Sequence, residues 1–404
     1  MISFTVMIWI AFLALIAFVI ALDLGVFHRK SHVISLPEAI GWTVTWIALA
    51  LVFNVGVYFL YELNPHGWDI DTQQLSGADA AIQFFTGYLV EKSLSIDNIF
   101  VIAMIFAHFR VPLAEQHRVL FWGILGAVVL RGLMIFGGIA LINRFEWITY
   151  LFGAILIYSA AKILIIRHDT VDIANSRVIR AIRRLYPVTE QYHGSHFFTV
   201  VDGVRMATPL FVALVLVETS DVMFAVDSIP AIFAITRDPF IVFTSNIFAV
   251  LGLRSLYFVL AGLMDRFRYL KLSLVFLLGY IGVKMLLVHH YPIPNVVSLA
   301  VIAGILAIGI IASTAVARDA LALLSPLAGN LEHIAVSSFH QARKAVVLIL
   351  GSSILVIGLA MIVLPGPALV VIPIGLAVLA LEFAWARRWL SKIRQQITGT
   401  TKGD

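Results

Sequence analysis

The chain has 404 residues, of which 61% are hydrophobic and 13% charged, with a mean hydropathy of +0.99. Soluble domains carry roughly 25% charged residues, so this composition excludes a soluble globular protein and places the chain in a membrane. There are no cysteines, which excludes disulfides, thiolate metal sites and thiol redox chemistry by the chain itself.

Apolar runs fall near residues 2–22, 40–60, 79–107, 119–142, 147–166, 207–235, 240–264, 271–288, 295–317, 345–364 and 367–386. Each can cross a hydrocarbon core that needs about 20 residues, which predicts an all-α polytopic membrane protein of about 11 transmembrane helices. The first run starts at Met1 without a basic n-region and reaches Asp23 without a small-residue cleavage site, so it is expected to be a retained span. With the N-terminus outside and the C-terminus cytoplasmic, six cytoplasmic segments hold 21 of the 28 Lys and Arg residues, and the outer loops hold only Arg144 and Arg237. That asymmetry obeys the positive-inside rule. The net charge of +5 therefore describes cytoplasmic anchoring and contact with membrane lipids; no nucleic-acid motif accompanies it. Between His168 and Thr208, the stretch Ile179 to Tyr186, ended by Pro187, reads as a basic amphipathic helix on the anionic inner leaflet, an inner-side anchor or a partner surface.

A unit of about 75 residues occurs twice. In the first copy Glu91, Leu94, Asp97 and Asn98 precede Arg131, Tyr158 and Lys162; in the second Asp221, Phe224, Asp227 and Ser228 precede Arg254, Tyr280 and Lys284. The offsets are 130 residues at the carboxylates, 123 at the arginines and 122 at the Tyr and Lys positions. Three spans per unit is an odd number, so the second copy crosses the membrane inverted. Inverted repeats with ionisable groups near mid-membrane are the plan of many secondary transporters, whose site lies where the repeats meet.

A charge at mid-bilayer costs roughly 2.5–3.5 kcal/mol on insertion scales, so the intramembrane acids Asp23, Glu91, Asp97, Glu218, Asp221 and Asp227 must be paired, solvated or ligated. One reading pairs them with Arg131, Lys162, Arg254 and Lys284. The acids outnumber those bases, which leaves carboxylates for a ligand, while Lys92 is expected to snorkel toward an interface. Residues six apart on a regular helix are separated by about 9 Å and about 120°, so Glu91 and Asp97 serve one ion only if the helix breaks. Pro230 after Asp227 and Ser228 favours such a break, which frees backbone carbonyls, with Asp97–Asn98 then facing Asp227–Ser228. Glu218, one turn before Asp221, shares its face. Carboxylates, the Asn98 amide, the Ser228 hydroxyl and carbonyls make a hard oxygen set suited to manganese, magnesium or calcium. Met223 between the two acids is the one soft ligand to watch, and Asn54 and Asn246 are amides suited to interhelical hydrogen bonds.

The runs Glu91-Lys-Ser-Leu-Ser-Ile-Asp97-Asn98, Val217-Glu218-Thr-Ser-Asp221 through Asp227-Ser-Ile-Pro230, Ser245-Asn246 through Arg254, and Gly279-Tyr280-Ile-Gly-Val-Lys284 resemble the TerC integral membrane family. The resemblance spans about residues 5–317. It implies a LysE-superfamily-like helical fold, residence in the bacterial inner membrane and, as in manganese-associated members, export of manganese from the cytoplasm. It also carries the label of tellurium resistance, which an oxygen ligand set does not explain. The acidic motif positions it implies are Asp23, Glu91, Asp97, Glu218, Asp221 and Asp227. The segment Leu364-Pro-Gly-Pro-Ala368 with Leu381 to Trp389 is similar to the PGPGW transmembrane hairpin family, although Ala368 replaces its third motif glycine.

The expected organisation is a transporter domain over 1–317 with repeat units at about 79–166 and 207–288, a cytoplasmic linker over 318–344, and a hairpin with a cytoplasmic tail over 345–404. The expected function is export of a divalent metal ion, manganese first, by alternating access. Its metal residues are Asp23, Glu91, Asp97, Asn98, Glu218, Asp221, Asp227 and Ser228, and Arg131, Lys162, Arg254, Lys284 and Asn246 support them. Mn(II) is cargo, no cofactor is tightly bound, and no oligomeric state is assigned. No nucleophile-and-base arrangement marks an enzyme. The alternative is a non-transporting metal sensor or scaffold in metal or tellurite stress, recruiting cytoplasmic or membrane stress-response partners.

Overall fold

The computed structural model describes residues 4–22, 35–63, 75–165, 177–261, 268–288 and 291–323, and the single positions 376, 379, 385, 388 and 389. Asp23 lies outside the described residues, as does the expected C-terminal hairpin apart from those five positions.

The elements in order are α1 (Phe4–Leu22), α2 (Leu36–Glu62), α3 (Gly77–Phe109), α4 (Leu113–Arg144), α5 (Ile148–Ile165), α6 (Arg177–Leu185), β1 (Phe198–Val201), β2 (Val204–Ala207), α7 (Pro209–Phe233), α8 (Pro239–Leu251), α9 (Leu253–Ala261), α10 (Arg268–Leu287) and α11 (Asn295–Leu323). Among the described residues α2, α4 and α7 are each long and apolar enough to cross a membrane, and α8 and α9, which meet at a bend of 40°, are so when taken together. Shorter apolar helices lie within α1, α5, α10 and α11. Exposed apolar side chains such as Val52 (69%) and Leu133 (67%) suit hydrocarbon contact, and the fold is that of a helical membrane protein.

Local chemistry fixes the helix ends. Ser76 opens α3 by accepting from the Asp79 N–H at 3.1 Å, and Asp238 opens α8 by accepting from the Ile241 N–H at 2.9 Å, which satisfies donors a helix start leaves orphaned. The break expected at Asp227–Pro230 does not occur, because α7 continues through Pro230 to Phe233. Pro230 sits in the last turn, where its missing N–H removes one bond from a helix about to end. The bend falls at Gly252 between α8 and α9 instead. There Lys92 Nζ donates to the Ala249 carbonyl at 3.3 Å, so this lysine caps a helix C-terminus, where a cation is favoured, and does not snorkel outward.

The packing core is formed by α3, α4, α7 and α8; α3 lies on α7 and α8, and α4 on the same two helices. Glycines set the approach and the direction. Gly123 lies beside Val217 and Gly138 beside Phe233, so α4 and α7 run together; Gly87 lies beside Ser245, so α3 and α8 run together; and Gly132 beside Phe243 sets α4 against α8. Outside this core α2 packs on α3 and α9, and α5 on α7. Gly153 of α5 and Gly282 of α10 meet backbone to backbone: a Cβ on Gly153 would lie 3.1 Å from the Gly282 carbonyl, and one on Gly282 3.0 Å from that of Gly153. Such small-residue contacts drive helix association where lipid removes the hydrophobic incentive.

At one end of the core, β1 and β2 form an antiparallel hairpin in the register Phe198↔Ala207 to Val201↔Val204. Its two-residue turn, Asp202 (φ 50°) and Gly203 (φ 78°), has the positive φ values that suit strand twist. The amphipathic helix read from the sequence is α6, but its apolar residues Ile179 and Ile182 are buried and α6 packs on α7. Ile179 and Ile182 are therefore covered by protein, whereas Leu185 of the same helix is 84% exposed. Phe198 stacks on Phe211 of α7 at 4.6 Å, Arg118 of α4 lies over Phe197 at 5.2 Å, and Tyr192 donates to the Phe109 carbonyl at 2.7 Å. Burial pushes the Tyr192 phenol above its usual pKa.

Residues 1–264 and 278–302 form one compact unit, and residues 265–277 and 303–404 a second. All site residues below belong to the first.

Two expectations follow for stability. Gly282→Leu forces α5 from α10 and should cost about 1–3 kcal/mol, read as a lower thermal-unfolding midpoint of the purified protein in detergent. Gly137→Ala, with nothing within 4 Å of a new Cβ, should leave that midpoint in place. Gly203→Val strains a residue at φ 78° by about 1–3 kcal/mol, and should quicken tryptic cleavage after Arg205.

Candidate functional site

The core helices converge on one fully buried guanidinium. Arg131 of α4 is 0% exposed, and its fork engages Asp221 of α7, with Nε donating to Oδ2 at 2.9 Å and Nη2 to Oδ1 at 2.7 Å. Its Nη1 donates to Glu91 of α3 and to the Asn246 carbonyl oxygen of α8 at 3.3 Å. Asn98, two turns after Glu91 on α3, donates its amide to Asp221 Oδ1 at 3.4 Å, and Ser95 donates to Glu91 Oε1 at 3.5 Å. Two carboxylates thus share one cation. Burying charges is tolerable only with such pairing and dense hydrogen bonding, and a bidentate Arg–carboxylate pair is the strong form of it.

The cluster is not fully satisfied. Glu91 Oε2, Asn98 Oδ1 and Asn246 Nδ2 are buried without a hydrogen-bond partner, and buried polar atoms in that condition are uncommon. Toward the hairpin end, a cavity of about 30 Å³ is lined by Asn98, Ser220, Asp221 and Arg254 among apolar side chains, with room for about two waters. Toward the other end the path is filled with rings. Trp9 and Phe12 of α1 lie against Phe240 and Phe243 of α8 at 5.3–5.9 Å, and Phe53 of α2 lies 4.7 Å from Phe248.

Of the residues singled out from the sequence, the structure gathers Glu91, Asn98, Asp221, Arg131 and Asn246. The others lie elsewhere. Asp227 accepts from Ser159 of α5 at 2.7 Å, with Lys162 one turn on acting on its charge. Glu218 packs its carboxylate against Gly126 of α4, and its Oε2 is buried without a partner. Ser228 is buried with its hydroxyl unpartnered. Asp97 is half-buried on the uninterrupted helix α3, on a different face from Glu91. The expected juxtaposition of Asp97–Asn98 with Asp227–Ser228 is replaced by Asn98 with Asp221.

The bases divide unequally as well. Arg254 lies 2.9 Å from His117 Nε2, and Lys284 donates to Asn295 Oδ1 at 3.3 Å. Met223 is 64% exposed, on the side away from the buried Asp221. Tyr158 is 68% exposed and does not reach the cluster. Among the described residues no three Asp, Glu or His side chains converge to hold a metal ion; the convergent set is two carboxylates, two amides and an arginine.

Sequence reasoning missed three participants. Ser159 follows Tyr158 in an apolar span and carries no signal of its own; His117 lies one turn into α4 and looks like an ordinary span-end histidine. Ser95, four residues after Glu91, is placed by helical spacing alone.

Comparison with known proteins agrees with this architecture. The sequence pattern of the integral membrane protein TerC family matches residues 76–321, and that of the family described as "Putative transmembrane protein (PGPGW)" matches residues 344–396. The chain is 49% identical over 312 residues to "Uncharacterized membrane protein STKORF319" of Myxococcus xanthus, covering 77% of this chain and 93% of the relative. It is 46% identical over 303 residues to "Putative membrane-bound redox modulator Alx" of Escherichia coli K12, covering 75% and 92%. A relative named "Uncharacterized membrane protein" from Rickettsia bellii is 43% identical over 305 residues, covering 76% and 96%. No solved structure matches the chain. With helical spans, a charged cluster at their centre and these relatives over three quarters of its length, the chain belongs to the TerC family of integral membrane proteins.

Proposed function

We propose that this protein is a divalent metal ion exporter of the bacterial inner membrane, with manganese(II) as its cargo, working by alternating access of two inverted three-span repeats within an eleven-span chain. The observation that carries the reading is the buried meeting of Glu91 from the first repeat with Asp221, its counterpart in the second, on one arginine. A transporter of this plan holds its site where the repeats meet. The donors there, two carboxylates and two amide carbonyls, are hard oxygens that favour manganese or magnesium over thiophilic metals. The packing supports the repeat: exchanging α3 with α7 and α4 with α8 maps the α3–α8 contact onto the α4–α7 contact. A cavity on the hairpin side and rings on the other suit a conformation reached from one face only. The charge asymmetry of the loops makes the hairpin face cytoplasmic and the N-terminus external.

The second reading is a metal-binding sensor or scaffold that moves no ion. It is favoured by the ordered α6 and hairpin, which present Arg180, Arg183, Arg184 and Arg205 as exposed cations. The redox role in the name of the E. coli relative fits an indirect effect through metal supply, since this chain has no cysteine.

Manganese flux in proteoliposomes of the purified chain, with and without a pH gradient, separates the two. The wild type should move manganese, and Glu91→Gln and Asp221→Asn should each slow it by about tenfold, equivalent to about 1.4 kcal/mol. In cells at equal protein level the same variants should lose manganese tolerance. A wild type that binds manganese but moves none under any gradient would establish the sensor.

A further inference from the structure

We infer that Arg131 is a tethered counter-cation: in the ion-free protein its guanidinium holds the place between Glu91 and Asp221 that the transported divalent cation takes when it binds. The inference rests on the export reading and assigns the step by which the empty carrier returns. Four observations lead to it. Arg131 is completely buried and is shared by two carboxylates from different repeats. The charge count leaves the trio with one negative charge in excess, whereas a divalent cation replacing the guanidinium balances both acids. Of the cluster's three atoms without partners, Asn246 Nδ2 is a donor, while Glu91 Oε2 and Asn98 Oδ1 are oxygens of the kind that coordinates a hard cation. The cavity on the hairpin side of the cluster is bounded by Asn98 and Asp221 themselves, so an ion occupying it would lie against the pair.

The physical need is general. A carrier that releases its cation must return with the site empty, and two bare carboxylates in a low-dielectric core would oppose that return. An arginine suits the task because it stays protonated and its planar fork spans two acids. Since the tether and the cargo compete for the same oxygens, Arg131 also weakens cation binding enough to permit release.

The test separates net flux from exchange. In proteoliposomes the wild type should catalyse both net manganese efflux down its gradient and exchange of labelled for unlabelled manganese. Arg131→Gln should bind manganese about tenfold or more tightly, retain exchange, in which the site never returns empty, and lose net efflux by about the same factor. Exchange, efflux and binding falling together would make Arg131 a structural lock and overturn the inference, as would net efflux at the wild-type rate. Should Arg131→Gln fail to accumulate, Arg131→Lys keeps the charge but loses the fork. It should then bind manganese several-fold more tightly while sustaining net efflux, and unchanged binding would overturn the inference. A wild type that moves no divalent cation defeats the export reading itself, a result recognisable before any variant is made.

Discussion

The fold is organised around the contact of Arg131 with Glu91 and Asp221. Removing one partner from a buried ion pair typically costs about 3–5 kcal/mol, a large share of the stability of any folded chain. That cost ties four helices together at one depth: α3 supplies Glu91 and Asn98, α4 Arg131, α7 Asp221 and α8 Asn246. Apolar packing between helices in lipid lacks such specificity, because hydrocarbon tails are as good a neighbour as leucine. The register of the core is set by the polar cluster, and the apolar contacts fill around it.

Glycines make that cluster reachable. Gly132 follows Arg131 and lies against Phe243, Gly126 makes room for Glu218, and Gly87 brings α3 onto Ser245 of α8. Close backbones shorten the distance that side chains must span, so Arg131 can engage α3, α7 and α8 at once. The same economy explains Lys92, whose ammonium reaches the end of α8 and satisfies a carbonyl that the bend at Gly252 would otherwise leave open. Where the core widens, toward Arg254, the cavity appears.

How much of this is written in the sequence depends on which physical signal carries it. Spans and intramembrane charges are legible, since charge within an apolar run is costly enough to stand out. Glu91, Arg131 and Asp221 are legible as a set on that ground. Their pairing is not, because residue spacing fixes the angle between groups on one helix and says nothing of the rotation of a neighbour. The same gap leaves Ser159 with Asp227 and His117 with Arg254 invisible until helices are placed. Pro230 misleads because a proline removes one hydrogen bond to the turn before it without having to end the helix there, and α7 carries it in its last turn. The hairpin has a signal in Asp202-Gly203, but four-residue strands are too short to show alternation. The amphipathic pattern of α6 is legible, yet amphipathicity says only that one face is buried and leaves open whether protein or lipid buries it.

Arg131 and Arg254 have different surroundings, and the difference bears on the charge of the central cluster. A strictly symmetric pair would bring Arg254 to Glu91 and Asp221 as well, giving two cations for two anions and a neutral cluster with no use for a ligand. Arg254 instead lies beyond the cavity, beside His117. Its withdrawal leaves the central acids with a single cation and a surplus negative charge, while keeping a positive group at the cavity's far wall. The placement of Arg254 beside His117 is therefore what leaves Glu91 and Asp221 sharing one internal cation.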